Sequence, residues 1–65
     1  MREFNQYKTL QNANDNFSKQ EYKTALLEYA LVLKADPKNR EAYNGAILTE
    51  MTILIKGNII TEVAG

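Results

Sequence analysis

The sequence predicts an all-α fold of three antiparallel helices, at about residues 3–18, 20–35 and 39–56, with a short C-terminal segment left open by the pattern. Two observations predict it. Apolar residues recur every three or four positions through each segment, the period of one helix face. The only proline, in Asp36-Pro37-Lys38-Asn39, interrupts that period with residues that stop one helix and can start another.

In the first segment Tyr7, Leu10, Ala13, Asn14 and Phe17 fall at helical spacing, with Gln6, Gln11, Asn12, Asp15 and Asn16 between them. Three large apolar residues make a narrow stripe, so packing has to hold this helix. Asp15 and Lys19 form its one well-oriented i,i+4 pair, which adds a few tenths of a kcal/mol.

The second segment, EYKTALLEYALVLK, sets Tyr22, Ala25, Leu26, Tyr29 and Leu33 on one stripe and Leu27, Ala30, Leu31 and Lys34 on another. A helix apolar on two faces is usually flanked by neighbours on both. Upstream, Ser18-Lys19-Gln20-Glu21 matches the capping box, in which Ser and Glu satisfy two orphan backbone donors reciprocally. Asp36-Pro37 ends the helix, and either Asp36 or Asn39 can cap a third helix after a connection of about 3 to 5 residues.

In the third segment Tyr43, Ala46, Ile47, Met51 and Leu54 repeat at helical spacing, and Gly57-Asn58 suits a C-terminal cap. Beyond it Ile59, Ile60 and Val63 fit a short helix or an extension of helix three. Their β-branching suits a strand equally, but no other segment reads as a strand to pair with.

Sixty-five residues make one small helical domain, 1–65, or a fragment of one. A chain of this size buries only about 60 % of its unfolded surface, so it gains much from a partner. It holds neither Cys nor His, which removes disulfides, the usual metal ligands and the usual nucleophile and base. Eight Lys and Arg balance eight Asp and Glu, without the positive excess that nucleic acid requires.

The polar start MREFNQYK has no apolar signal core. AILTEMTILI, broken by Glu50, is far short of the roughly 20 residues that span a bilayer. The expectation is a soluble, cytoplasmic chain that contacts no membrane. Asp15, Glu21, Glu28 and Glu50 are spaced like solvated helix faces rather than a convergent acid–base pair. Gly45, Gly57 and Gly65 are isolated and form no phosphate loop. No enzymatic activity, cofactor, metal or small-molecule substrate is expected.

The run Ala13…Phe17…Tyr22-x-x-Ala25-Leu26-x-x-Tyr29-x-x-x-Leu33-x-x-Asp36-Pro37-x-Asn39 resembles the tetratricopeptide repeat, a helix–turn–helix unit of 34 residues. The match needs no gap across residues 6–39. Ala13 stands where that family has a small residue for close helix approach, and Asp36-Pro37-x-Asn39 matches its connection into the next repeat. Tyr43 takes the place of the aromatic that opens a second, partial repeat over 40–65. The departures are Thr9 for the opening aromatic, Gln20 for the turn glycine and Val32 for a small residue. A generic three-helix bundle with an incidental Asp-Pro is the alternative. YKTALLEYALVL is also similar to three-helix microtubule-interacting-and-trafficking domains, although their second connection does not normally carry Asp-Pro-x-Asn.

The first resemblance implies a protein-binding module whose concave groove is lined by the first helix of each repeat. By position the groove residues are Leu10, Asn14 and Phe17, with Asn44, Leu48 and Met51. Leu10 replaces the lysine of the carboxylate-clamp subset, so an acidic C-terminal peptide is not the expected ligand. A second class of function comes from the residues themselves. Between residues 46 and 65 the only charges are Glu50, Lys56 and Glu62, while Ile53, Leu54 and Ile55 in succession cannot all face inward on one helix. With Ile59, Ile60 and Val63 they make a candidate self-association surface. The partner is then another protein or a second copy, and the chain is a homo-oligomer or part of a longer repeat array.

Overall fold

Helix α1 (Gln6–Ser18) begins where the Asn5 side chain accepts the Lys8 backbone N–H at 3.0 Å, an N-cap that satisfies one orphan donor. Helices α2 (Tyr22–Ala35) and α3 (Arg40–Ala64) come next in the chain. The computed structural model describes the backbone of residues 4–64 and the side chains of residues 4–57, and no strand occurs among the described residues. The all-α, three-helix architecture expected from the periodicity is therefore the one observed.

The first connection differs from the expected capping box. Ser18 stays inside α1, and Glu21 opens α2 through its backbone with no side-chain cap. A helix C-terminus occupies the place instead. The Glu21 N–H donates to Asn16 C=O at 2.8 Å and the Gln20 N–H to Phe17 C=O at 3.0 Å, the paired bonds of a Schellman motif. Gln20 supplies the left-handed residue, with φ of 67°. The motif normally places glycine there because a Cβ is strained in that conformation.

The second connection matches the expectation. The Asp36 carboxylate accepts the Lys38 N–H at 3.1 Å, and Asn39 caps α3 by accepting the Ala42 N–H at 3.0 Å. Pro37 sits between them, where its missing N–H costs nothing.

The expected stop at Gly57-Asn58 does not occur, because α3 runs on to Ala64. Glycine ends a helix by turning left-handed, and no glycine among the described residues does so. A helical glycine costs only about 1 kcal/mol relative to alanine. The C-terminal segment over 58–64 is thus an extension of α3.

Helices α1 and α2 are antiparallel, since Gln6 reaches Asp36 and Asn16 reaches Glu28. Helix α3 returns along α2, with Gly45 against Tyr29 and Lys56 over Tyr22. Helix α2 packs against both neighbours, while α1 and α3 touch at few points. The core is small and made of small residues: Ala13, Ala25, Val32 and Ala42 are fully buried, with Leu10 and Tyr29 beside them. Thr49 is buried too, and its hydroxyl donates to Gly45 C=O at 2.7 Å. The 25-residue α3 is about 37 Å long, well beyond the 14-residue α2, which gives the chain extents of 48 × 21 × 17 Å. No helix among the described residues is long and apolar enough to cross a membrane.

Candidate functional site

Helix α3 has two opposed faces. Ala42, Gly45, Ala46 and Thr49 point toward α2 and the core, and these residues are small. At about 100° per residue, Ile47, Leu48, Met51, Leu54 and Ile55 fall on the opposite side. Those five are 39–64 % exposed, and Tyr43 and Asn44 at the same side are exposed as well. Among the described residues the large apolar side chains of α3, Ile53 apart, therefore lie on the outer face. Along its edge an open hollow is lined by Leu26 of α2 and by Ile47, Glu50, Met51, Ile53 and Leu54. These exposed apolar residues are joined into one patch rather than scattered singly.

Of the residues expected to line a groove, Asn44, Leu48 and Met51 are exposed on α3. Leu10 is only 6 % exposed and belongs to the core. Phe17 is half-buried, its ring edge-on to Tyr22 at 5.3 Å between centroids. Asn14 is committed to a polar link across all three helices. It accepts a hydrogen bond from the Tyr29 hydroxyl of α2, and its amide donates to Glu41 of α3 at 3.1 Å. Burial pushes the Tyr29 phenol above its ordinary value of 10.0, and the negative charge of Glu41 adds to the shift. The structure thus ties Asn14 to α3 but sends Leu10 and Phe17 inward.

Of the candidates for self-association, Leu54 and Ile55 lie on the outer face and Ile53 is half-buried beside Leu26. The side chains of Ile59, Ile60 and Val63 lie outside the described residues. The role of Gly45 is invisible in the sequence, because it depends on what stands opposite. A Cβ there would overlap the Tyr29 ring, so glycine is what lets α2 and α3 approach. Glu41 is equally silent in the sequence, since its partner Asn14 lies on another helix.

Lys56 places its ammonium 5.3 Å from the Tyr22 ring centroid, which pins α3 over the start of α2. No three acidic side chains converge as a metal site among the described residues. Comparison with known protein families, curated proteins and solved structures finds no match.

Proposed function

We propose that the chain is a non-enzymatic protein–protein interaction module of tetratricopeptide-like, helical-repeat type, and that it receives an amphipathic helix on the outer face of α3. The observation that carries the reading is the continuous exposed stripe Ile47, Leu48, Met51, Leu54 and Ile55, opposite the buried face of the same helix. In stacked helical arrays each helix is covered on both sides by its neighbours, and α3 has a neighbour on one side only. Successive antiparallel helices, the Asp36-Pro37 joint and the buried Ala13 support the repeat-like reading. A cytoplasmic location accompanies it.

The test uses a synthetic amphipathic Leu/Lys helix as a probe, with amide NMR shifts of the chain as the readout. Shifts confined to residues 43–55 and to Leu26, and lost in Met51→Asp, are the expected result. No shifts, or shifts centred on α1, would remove the reading. A second reading, in which the same face meets another copy, is supported by the absence of any charged residue among Asn44, Ile47, Leu48, Met51, Leu54 and Ile55.

A further inference from the structure

The segment Asn44–Asn58 reads NGAILTEMTILIKGN, and four of its seven residue pairs about Met51 are the same in both directions. Asn44 mirrors Asn58, Gly45 mirrors Gly57, Ile47 mirrors Ile55 and Leu48 mirrors Leu54. The mismatched pairs are Ala46 with Lys56, Thr49 with Ile53, and Glu50 with Thr52.

Apart from Gly45 and Gly57, which match about 120° away from Met51, the helix separates the two groups. Taking Met51 as the centre of the outer stripe, positions 44, 47, 48, 54, 55 and 58 all lie within about 60° of it by register. Every mismatched position lies about 100° or more away, toward the inner face or the edge. The mirror symmetry is therefore complete on the outer stripe, whereas off it only one pair of four, Gly45 with Gly57, matches. Positions 44, 51 and 58 are also seven residues apart, with apolar pairs between, which is the repeat of a helix–helix seam.

We propose that the occupant of this face is a second copy of the chain, its α3 antiparallel to the first, with the two-fold axis at Met51. The proposal rests on the reading of the outer face as a docking surface and names its partner. In that register Ile47 meets Ile55 of the other copy, Leu48 meets Leu54, and position 44 comes level with position 58 at each end. A two-fold interface needs a self-complementary patch, and the mirrored stripe is one. Asn44 helps to lock the register, because a slip sets its amide against Ile or Leu. A parallel pair would match like with like for any sequence, so it leaves the mirror pattern without a use. The five exposed side chains Ile47, Leu48, Met51, Leu54 and Ile55 offer about 500 Å² a copy, or about 1,000 Å² for two, the area at which a specific interface becomes credible.

The experiment combines sedimentation with cysteine cross-linking in the full chain, which has no cysteine of its own. The expected mass is twice the 7.4 kDa of one chain, and Met51→Asp raises the dissociation constant at least tenfold without loss of helix signal. Leu48→Cys and Leu54→Cys chains are oxidised alone and mixed. In the antiparallel register position 48 faces 54, whereas the two copies of position 48 stand about 9 Å apart along the axis, beyond disulfide reach. Cross-linking in the mixture at least tenfold faster than in either chain alone is the expected result. A dimer in which Leu48→Cys links to itself, or in which the mixture links no faster, overturns the antiparallel register. A monomer up to about 1 mM overturns self-pairing but leaves the peptide-probe reading standing, since mM affinity is the lower edge of specific binding. A dimer unchanged by Met51→Asp overturns both.

Discussion

The two faces of α3 invert the usual order of size. Inside, Ala42, Gly45, Ala46 and Thr49 bring the helix close to α2; outside, Ile47, Leu48, Met51, Leu54 and Ile55 stand in solvent. Burial of a side chain depends on who stands opposite, and close approach of two backbones excludes large residues from the contact. The inner face thus holds the chain together by proximity, and the outer face leaves the greater apolar area exposed.

The largest effect should come from Gly45→Ala. The Tyr29 ring against Gly45 is buried and tied through its hydroxyl to Asn14, so it has little freedom to move aside. A loss of about 2–3 kcal/mol in chemical denaturation is expected, the upper part of the overpacking range. A loss below about 0.5 kcal/mol would mean that the inner face is not closely apposed.

Next comes Tyr29→Phe, which leaves the ring in place and removes the hydrogen bond to Asn14, at an expected cost of about 1 kcal/mol. It also has a pH signature. The folded-state value of Tyr29 is raised, so its contribution is fully present below the unfolded value of about 10 and is lost as pH rises through the folded one. Stability should therefore fall in strong alkali, less steeply in Tyr29→Phe than in the parent. Equal alkaline slopes would remove Tyr29 as the cause.

Gln20→Gly acts on neither face and should have the opposite sign. It relieves the left-handed strain at φ of 67°, and a gain of about 0.5–1 kcal/mol in chemical denaturation is expected. In that background the two faces of α3 can be told apart over a wider range of stability, since destabilised outer-face variants stay folded. The smallest effect belongs to Leu54→Ser, at a position 64 % exposed. Measured at dilutions where the chain is monomeric, it should change stability by less than about 0.5 kcal/mol. A larger loss would place Leu54 in the fold rather than on a free surface.

Much of the fold is legible in the sequence. Three helices are written in the periodicity of Leu10, Ala13 and Phe17, of Ala25, Leu26 and Tyr29, and of Ala46 and Met51. The second connection is written in Asp36, Pro37 and Asn39, whose chemistry acts within a few residues. The first connection is not, because Ser18 and Glu21 fit a capping box by identity, while the chain closes a C-terminal motif through its backbone with Gln20 at its bend. The end of α3 is not either, because Gly57 permits a left-handed turn without requiring one. Of the candidate site, the crowding of Ile53, Leu54 and Ile55 makes legible that not all three face inward, but not that Leu54 and Ile55 are the exposed ones. The inward turn of Leu10 and the link from Tyr29 through Asn14 to Glu41 are not.

Helix type, the joint at Asp36–Asn39 and the mirrored residue order about Met51 follow from the chain alone, because periodicity, capping and residue order act along it. Packing in three dimensions set Gly45 beneath the Tyr29 ring, bound Asn14 on two sides, and turned Ile47, Leu48, Met51, Leu54 and Ile55 outward. Those outcomes depend on how closely one helix approaches another, and that distance is set by side chains distant in sequence meeting in space.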